Sequence, residues 1–241
     1  MIDAKRILAV VPARGGSKGI ALKNLRSVAG IPMISRVGQV LSNLPMIDRS
    51  VVSTDHEEIA RVAEDAGISA PFRRPLDISG DQVGDLEVLR HALLEMEEMD
   101  NVTYDIVLML QPTSPLRQPK HVFDALTMLI EGAWDAVWTV SATDSKSHPL
   151  KQLCLCENKL DYYDPVGKEI IARQQLKPVY HRNGVAYALT RDCLMNQGSL
   201  LGNRTGALVL YGDFVSIDTE FDIALVEWIM ERSNTIDKFI E

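Results

Sequence analysis

Along the first 140 residues, the spacing of hydrophobic residues alternates between a pattern typical of strands and one typical of helices. Short strands are predicted at 7–11, 50–55, 105–110 and 135–141, of which the first and third are almost wholly apolar and the second ends in polar residues. Between and after these strands, apolar residues recur every three or four positions, which predicts helices over 33–44, 54–66, 84–99 and 119–131. We expect Thr54 or Asp55 to cap the second helix and Gly67 to end it. Strands and helices in alternation predict an α/β fold with a doubly wound, mostly parallel sheet.

The pattern changes after residue 143. Polar and apolar residues alternate around Glu157-Asn158-Lys159, which predicts an antiparallel hairpin, and a strand follows at 184–190. We interpret residues 144–182 as an arm inserted into one α/β domain made of 1–143 and 183–241. Beyond the arm, we expect strands at 207–211 and 214–218 and a helix over 220–233.

The apolar side of this hairpin predicts self-association. Four leucines point to it: Leu150, Leu153, Leu155 and Leu160. A lone two-stranded ribbon cannot bury so much apolar surface, and an exposed patch of that kind favours a partner. Because closed two-fold pairing is the commonest arrangement, we expect a homodimer built through the arm.

Composition narrows the class of protein. The chain has 241 residues, 46% of them hydrophobic, which suits one large domain with a full core. A net charge of −8 argues against nucleic-acid or anionic-membrane partners, and no apolar segment approaches the length of a membrane span. Three cysteines without a C-x-x-C pair indicate reduced thiols, so we expect a cytoplasmic protein.

The segment VVPARGGSKGIALKNLR, residues 10–26, has the composition of an anion-binding loop. Pro12 ends the first strand, and Gly15-Gly16 lets the backbone take positive φ and come close to a ligand. Three cations surround this turn: Arg14, Lys18 and Lys23. The spacing fits neither a Walker loop nor a dinucleotide fingerprint. A flexible, solvated connection is the alternative interpretation.

Two further polar clusters follow predicted strands. LQPTSPLR, residues 110–117, offers Gln111 and other hydrogen-bonding side chains on a rigid turn, and SIDTEFD, residues 216–222, offers Asp218. Ligands of open α/β sheets bind beyond the carboxyl ends of the strands. A carboxylate facing a basic loop there suits Mg²⁺ shared with a triphosphate. The alternative is that Asp218 caps the last helix.

Taken in order, seven segments resemble the acylneuraminate cytidylyltransferases, also known as CMP–sialic acid synthetases. They are PARGGSKGIALKNLR, RRPLDISGD, LQPTSPLR, HPLK, RQQL, RNGVAY and SIDTEFD, which extend over nearly the whole chain. The resemblance implies a Rossmann-like nucleotidyltransferase that uses CTP and Mg²⁺ to activate a nine-carbon sugar acid for cell-surface polysaccharides. The sugar 2-hydroxyl would attack the α-phosphate, giving CMP-sugar and pyrophosphate.

The resemblance also implies roles for individual residues. Catalytic roles fall to Arg14, Lys23 and Asp218, with Asp218 also holding the magnesium. Nucleotide contacts fall to Gly15, Gly16, Ser17, Asn24 and Arg74, with Arg74 near the base. Sugar-acid contacts fall to Gln111, Lys151, Arg173 and Tyr187. Lys151 and Arg173 would reach the site from the arm of the second subunit, so that a homodimer shares its active sites.

Three departures from the family pattern leave questions open. Ser216 replaces the first carboxylate of a D-x-D pair, so one or two metals remain open, as does the general base. Asp85 stands where a serine lies near the base in a sialic acid enzyme, and Leu200-Leu201 stands where two aromatics line the sugar pocket. Sialic, legionaminic or a related nonulosonic acid would fit. The alternatives are a nucleotidyltransferase for another sugar acid or a polyol phosphate, and a non-catalytic nucleotide-binding homologue.

Overall fold

A central six-stranded sheet organises the computed structural model, which describes residues 2–237. The strands are β1 (Ile7–Pro12), β2 (Ser27–Val28), β3 (Ile31–Pro32), β4 (Arg49–Ser53), β5 (Ile106–Met109), β6 (Ala136–Ala142), β7 (Leu153–Cys156), β8 (Lys159–Tyr162), β9 (Tyr180–Thr190) and β10 (Thr205–Val209). The helices are α1 (Met33–Leu41), α2 (Glu57–Asp65), α3 (Asp85–Asp100), α4 (Pro119–Glu131), α5 (Arg191–Met195) and α6 (Glu220–Asp237).

The order of strands in the main sheet is β10-β6-β9-β5-β1-β4. β1 pairs in parallel with β4 and β5, and β10 pairs in parallel with β6. β9 is antiparallel to both of its neighbours, β5 and β6. The predicted mostly parallel α/β sheet is therefore confirmed, with one reversed strand at its centre.

Helices cover both faces of this sheet, which confirms the doubly wound arrangement. Along β1, Ile7, Ala9 and Val11 pack in a cluster with α1, α2 and α4. The intervening Leu8 and Val10 pack in a second cluster with α3 and α5. Because both faces of this strand are buried, apolar and polar residues do not alternate along it, which explains its continuous apolar run. Across residues 2–237, none of the helices has the length and apolar content to cross a bilayer.

The start of α2 differs from the prediction. The helix begins at Glu57 behind His56, and neither Thr54 nor Asp55 caps it. Thr54 Oγ1 accepts a hydrogen bond from His56 N, and the Asp55 carboxylate accepts one from Gly15 N at 2.8 Å. Asp55 thus fixes the loop after β1. The predicted end of the helix is confirmed, because Gly67 has φ +81° and follows its last turn.

The predicted strand at 214–218 is wrong. This segment has no regular secondary structure and pairs with no strand of the sheet. Ile217 N donates to Thr113 O at 2.9 Å, and the fully buried Ile217 side chain packs with Ile20 and Met33. The segment therefore crosses the loops that follow β1 and β5, and this path brings Asp218 to them.

Residues 143–179 lie outside the main sheet and contain the predicted hairpin, β7–β8. Leu153 lies opposite Tyr162, and Leu155 lies opposite Leu160, so these four side chains share one face. Leu155 is 68% exposed and Leu160 is 61% exposed. Within the described residues, Gly167 packs against the ring of Tyr162 at one end of this face, and the three leucines stay at least half exposed.

Candidate active site

An open cavity of about 680 Å³ lies beyond the carboxyl ends of β1 and β5. The chain leaves β1 toward β4 on one side of the sheet and leaves β5 toward β6 on the other. Ligands of open α/β sheets bind at this kind of switch point. Seven of the predicted site residues line the cavity: Arg14, Ser17, Lys23, Asn24, Arg74, Gln111 and Asp218.

The two glycines of the loop act differently from the prediction. Neither Gly15 nor Gly16 has a positive φ, so the loop does not use the left-handed conformation that two glycines permit. At Gly15, a Cβ would come within 2.9 Å of His56 Cδ2. Close packing against His56 therefore explains why this position is a glycine. At Gly16, a Cβ would meet nothing within 4 Å. Gly15 therefore serves the packing of the loop against α2.

Asn24 holds the backbone of the loop. Its side chain is buried, and Nδ2 donates to Arg14 O at 3.0 Å. A hydrogen bond between residues ten apart closes the loop on itself. Asn24 thereby sets the direction in which the Arg14 side chain leaves the loop.

Each cation of the loop is paired with a carboxylate from another part of the chain. Arg14 Nη1 lies 2.8 Å from Asp81 Oδ1, and Lys18 Nζ lies 2.7 Å from Asp81 Oδ2. Lys23 Nζ lies 2.7 Å from Asp218 Oδ1. The cations that the sequence assigned to phosphates therefore converge on one cavity, with carboxylates between them.

Asp218 does not cap the last helix. Thr219 does, because its Oγ1 accepts from Asp222 N at 3.3 Å while Asp222 Oδ2 accepts from Thr219 N at 2.7 Å. Partial burial acts to raise the pKa of Asp222, but hydrogen bonds from Asp218 N and Thr219 lower it overall. The Asp218 side chain, 74% exposed, is left facing Lys23 and the cavity. The capping alternative is therefore excluded.

The backbone of Asp218 lies close to the loop after β1. A Cβ on Gly19 would be 2.5 Å from Asp218 O, which is closer than any real carbon approaches. The absence of a side chain at Gly19 is what allows the two segments to touch.

Arg74 is held rigidly in the wall of the cavity. It is buried, and its guanidinium donates to Ser53 Oγ at 3.0 Å and also to Ser53 O. Burial lowers the pKa of Arg74 to about 10, so it stays charged at neutral pH. Asp85, the first residue of α3, faces the same cavity, and burial raises the pKa of its carboxyl.

Arg117 supports the wall that carries Gln111. Its guanidinium is buried, donating to Gln111 O at 2.6 Å, to Gly184 O at 3.0 Å and to Val185 O. Burial lowers the pKa of Arg117 to about 9. Arg117 ends the polar cluster LQPTSPLR, and the structure uses its guanidinium to tie the 110–117 turn to β9. No periodicity in the sequence marks that role.

Gly184 and Tyr187 complete this support. Gly184 has φ +71°, and a Cβ there would lie 2.4 Å from Ser114 Oγ. Tyr187 is buried, its hydroxyl accepts from Gly184 N at 2.9 Å, and its ring packs edge-on against Trp138. Tyr187 therefore lies behind the cavity wall, outside the set of residues that line it. Burial raises the pKa of Tyr187.

Lys151 and Arg173 lie on the arm, exposed and away from the cavity of their own chain. The arm leaves the sheet after β6 and returns through the start of β9. Both points lie at the edge where the cavity opens, because β9 runs antiparallel to β6.

The residues near Asp218 fit a divalent cation that is shared with a substrate. Across residues 2–237, no three histidine, cysteine, aspartate or glutamate side chains form a metal-binding group. Asp218 and Ser216 both line the cavity. Mg²⁺ typically takes one or two carboxylates together with substrate phosphates, so one carboxylate suffices in such a site.

A doubly wound α/β fold with a cavity of charged side chains at its switch point is an arrangement that nucleotide-binding enzymes commonly have. The family model described as cytidylyltransferase matches residues 8–232, and the chain belongs to that family. A CMP-N,N'-diacetyllegionaminic acid synthase of Legionella pneumophila is 33% identical, over 94% of this chain and 97% of the relative. N-acylneuraminate cytidylyltransferase A of Danio rerio is 36% identical, over 93% of this chain and 50% of that protein.

A solved structure shares the fold. It is CMP:2-keto-3-deoxy-manno-octonic acid synthetase complexed with CTP, with a TM-score of 0.66 and 21% identity, covering 95% of this chain and 100% of that one. The resemblance that the seven sequence segments carry is thus confirmed at the level of family and fold.

Proposed function

We propose that this chain transfers the CMP group of CTP to the 2-hydroxyl of a nonulosonic acid and releases pyrophosphate. The observation that carries the proposal is one cavity that gathers Arg14, Lys23 and Asp218 from segments about 200 residues apart. The assignment as a nucleotidyltransferase follows from the family. The names of the relatives, a legionaminic acid synthase and an acylneuraminate cytidylyltransferase, agree with the expected reaction.

The loop after β1 would bind the triphosphate. Phosphoryl transfer needs positioning and compensation of charge more than covalent help, because negative charge spreads over the phosphoryl oxygens and the leaving group. Arg14 and Lys23 supply fixed cations for that charge. Lys23 is 18% exposed, so its interaction with a phosphate would be less screened by water than that of a surface lysine.

Cytidylyltransferases of this kind generally use a divalent metal, and we infer Mg²⁺ here. Asp218 would hold it, with Ser216 beside it. When bound, the ion would neutralise charge on the phosphates. Asp218 accepts from Lys23 through Oδ1, which keeps its carboxylate turned toward the cavity.

The remaining walls would hold the nucleoside and the sugar acid. Arg74, fixed on Ser53, is the residue that we assign to the base, and Gln111, on the turn held by Arg117, is the residue that we assign to the sugar. Among nine-carbon acids, the relatives favour a diacetyllegionaminic acid as the first candidate.

We also infer a homodimer that shares its active sites. The apolar face of β7–β8 is exposed in the single chain, and Lys151 and Arg173 are exposed on the same arm. Burying that face on a second copy would remove it from water and would bring the arm's cations to the partner's cavity. Three free thiols, two of them exposed, favour a reducing compartment such as the cytoplasm.

A pyrophosphate-release assay tests the proposed reaction. The purified chain, CTP and Mg²⁺ would be combined with diacetyllegionaminic acid, sialic acid, an eight-carbon keto acid and a polyol phosphate in turn. We expect turnover with a nine-carbon acid and CTP, and far less with ATP or GTP. Turnover with the polyol phosphate alone would favour the alternative substrate class. Absence of turnover with every acceptor would favour a non-catalytic homologue.

The Asp218→Asn variant tests the assignment of the metal. The amide keeps the shape of the side chain and removes its charge, and Thr219 still caps α6. We expect most activity to be lost while the thermal unfolding midpoint is unchanged. Full activity of this variant at low Mg²⁺ would refute the assignment.

Subunit complementation tests the shared site. An Asp218→Asn subunit mixed with an Arg173→Ala subunit should regain activity, because one of the two sites in the heterodimer would then carry neither change. A monomeric mass by light scattering, or no recovery after demonstrated subunit exchange, would refute sharing.

A further inference from the structure

Asp81 pairs with two cations of the loop after β1 at the rim of the cavity. It lies in the turn that joins the single 3₁₀ turn Leu76–Ile78 to α3, and this turn forms part of the cavity rim. Both of its carboxylate oxygens are used. One lies 2.8 Å from Arg14 Nη1 and the other 2.7 Å from Lys18 Nζ.

This contact has the chemistry of a bound phosphate. A carboxylate and a phosphate both present two oxygen acceptors to a pair of cations, and Arg14 and Lys18 hold Asp81 as they would hold such a ligand. The hydrogen bond from Lys18, followed by the charges of Lys18 and Arg14, holds the pKa of Asp81 below its usual value. The carboxylate is therefore ionised at neutral pH and competes at full charge.

The pairs are placed where a ligand can displace them. Lys18 is 78% exposed and Asp81 is 34% exposed, so water screens their attraction and each pair contributes little to stability. Pyrophosphate and the terminal phosphates of a triphosphate carry more charge than one carboxylate. They would take Arg14 and Lys18 from Asp81 when bound, and Asp81 would return when they leave.

We propose that Asp81 is an intramolecular competitor of the phosphates of pyrophosphate and CTP for Arg14 and Lys18, and that it promotes release of pyrophosphate. The proposal rests on the proposed function, since it assumes that these cations receive the phosphates beyond the α-phosphate. It assigns Asp81 an effect opposite to that of an ordinary site residue. Removing its charge should tighten binding.

Pyrophosphate binding to the Asp81→Asn variant, measured by titration calorimetry at fixed Mg²⁺, tests this. The loss of two exposed ion pairs should lower the Kd for pyrophosphate about three- to tenfold. The inhibition constant of pyrophosphate in turnover should fall in the same proportion. Binding of CMP should not change, because CMP lacks the displaced phosphates. Asp77→Asn is the matched control, because Asp77 is exposed in the same segment and accepts from its neighbour Ile78 N.

A double-mutant cycle separates competition from a general change of charge. In a Lys18→Gln background, the tightening caused by Asp81→Asn should be smaller, because one of the contested cations is gone. Asp81→Glu, which retains the charge, should behave nearly as the original protein does.

Weaker or unchanged pyrophosphate binding by Asp81→Asn would overturn the proposal, since Asp81 would then be holding the cations in place or be indifferent to them. An equal effect from Asp77→Asn would also overturn it. Failure of the proposed function has a different signature: the unaltered chain would turn over no acceptor, while its affinity for pyrophosphate and the effect of Asp81→Asn on it would still be measurable.

Discussion

At Gly19, a single methyl group should damage the site without straining the backbone conformation of the glycine itself. Its φ lies outside the left-handed region, so the backbone itself would accept alanine. The obstacle is Asp218 O, which would lie 2.5 Å from the new Cβ, about 0.9 Å short of the 3.4 Å at which van der Waals contact becomes ordinary. Because both atoms belong to backbone, or are fixed to it, neither can rotate away.

The size of the effect follows from that distance. Overpacking of this kind typically costs about 1–3 kcal/mol of the free energy of unfolding. The loop and the segment that carries Asp218 must move apart by a large fraction of an ångström, and the 2.7 Å contact of Asp218 with Lys23 is disturbed. Misplacement of a reacting constellation by about 1 Å can lower the rate about 100-fold. We therefore expect Gly19→Ala to lower kcat/KM by more than its loss of folding free energy alone would suggest.

Two glycines of the same loop provide the comparison. Gly15→Ala should be milder in its effect on unfolding, since its Cβ would meet the His56 side chain at 2.9 Å, and a side chain can shift. Gly16→Ala should leave stability unchanged or raise it by up to about 1 kcal/mol, because a Cβ there meets nothing and the unfolded chain loses entropy. Urea unfolding and steady-state kinetics with CTP measure the series. Unaltered stability and kcat/KM in Gly19→Ala would refute the reasoning.

Three further outcomes are expected. Lys23→Ala should lower kcat/KM roughly 10- to 100-fold, because a charge-assisted phosphate contact contributes about 1.5–3 kcal/mol; a change under twofold contradicts this. Arg117→Met should lower the free energy of unfolding by about 3 kcal/mol or more in urea, since two buried carbonyls and one partly buried carbonyl lose their donor. A thiol reagent at pH 8 should modify Cys154 and Cys156 in the native protein and Cys193 only after unfolding, since burial raises the pKa of Cys193 to about 11.

The pattern of hydrophobic residues was sufficient to predict most strands of the main sheet and the helices that cover it. Runs such as the one at β5 are apolar because both of their faces are covered, and the stripe on α3 follows from burial on one side. Both signals are local, so they are readable without knowledge of partners. The local pattern gives the wrong prediction for the segment 214–218. Ile217 is buried by loops and not by a sheet, and its apolar neighbours gave the same pattern as a strand.

The candidate site was predictable in its residue types and not in their pairing. Arg14, Lys23 and Asp218 were chosen for their charge after predicted strands, and the structure brings all three to one cavity. That Asp81 would pair with Arg14, or Asp55 accept from the loop, depends on contacts between segments 40 or more residues apart. Spacing along the chain carries no information about such contacts.

The reversed strand β9 governs the order in which the chain can fold. β5 bonds to β1 and β9, and β6 bonds to β9 and β10, so β5 and β6 share no hydrogen bonds. The pairing of β4, β1 and β5 is complete in sequence by Met109, but β6 and β10 cannot join them until Thr190 has been synthesised. A nascent chain that stops within the arm presents two bare strand edges, which invite pairing with other chains. Closing this long loop is a non-local step of the kind that slows folding, so mutations in the arm should alter the folding rate even where they leave catalysis untouched.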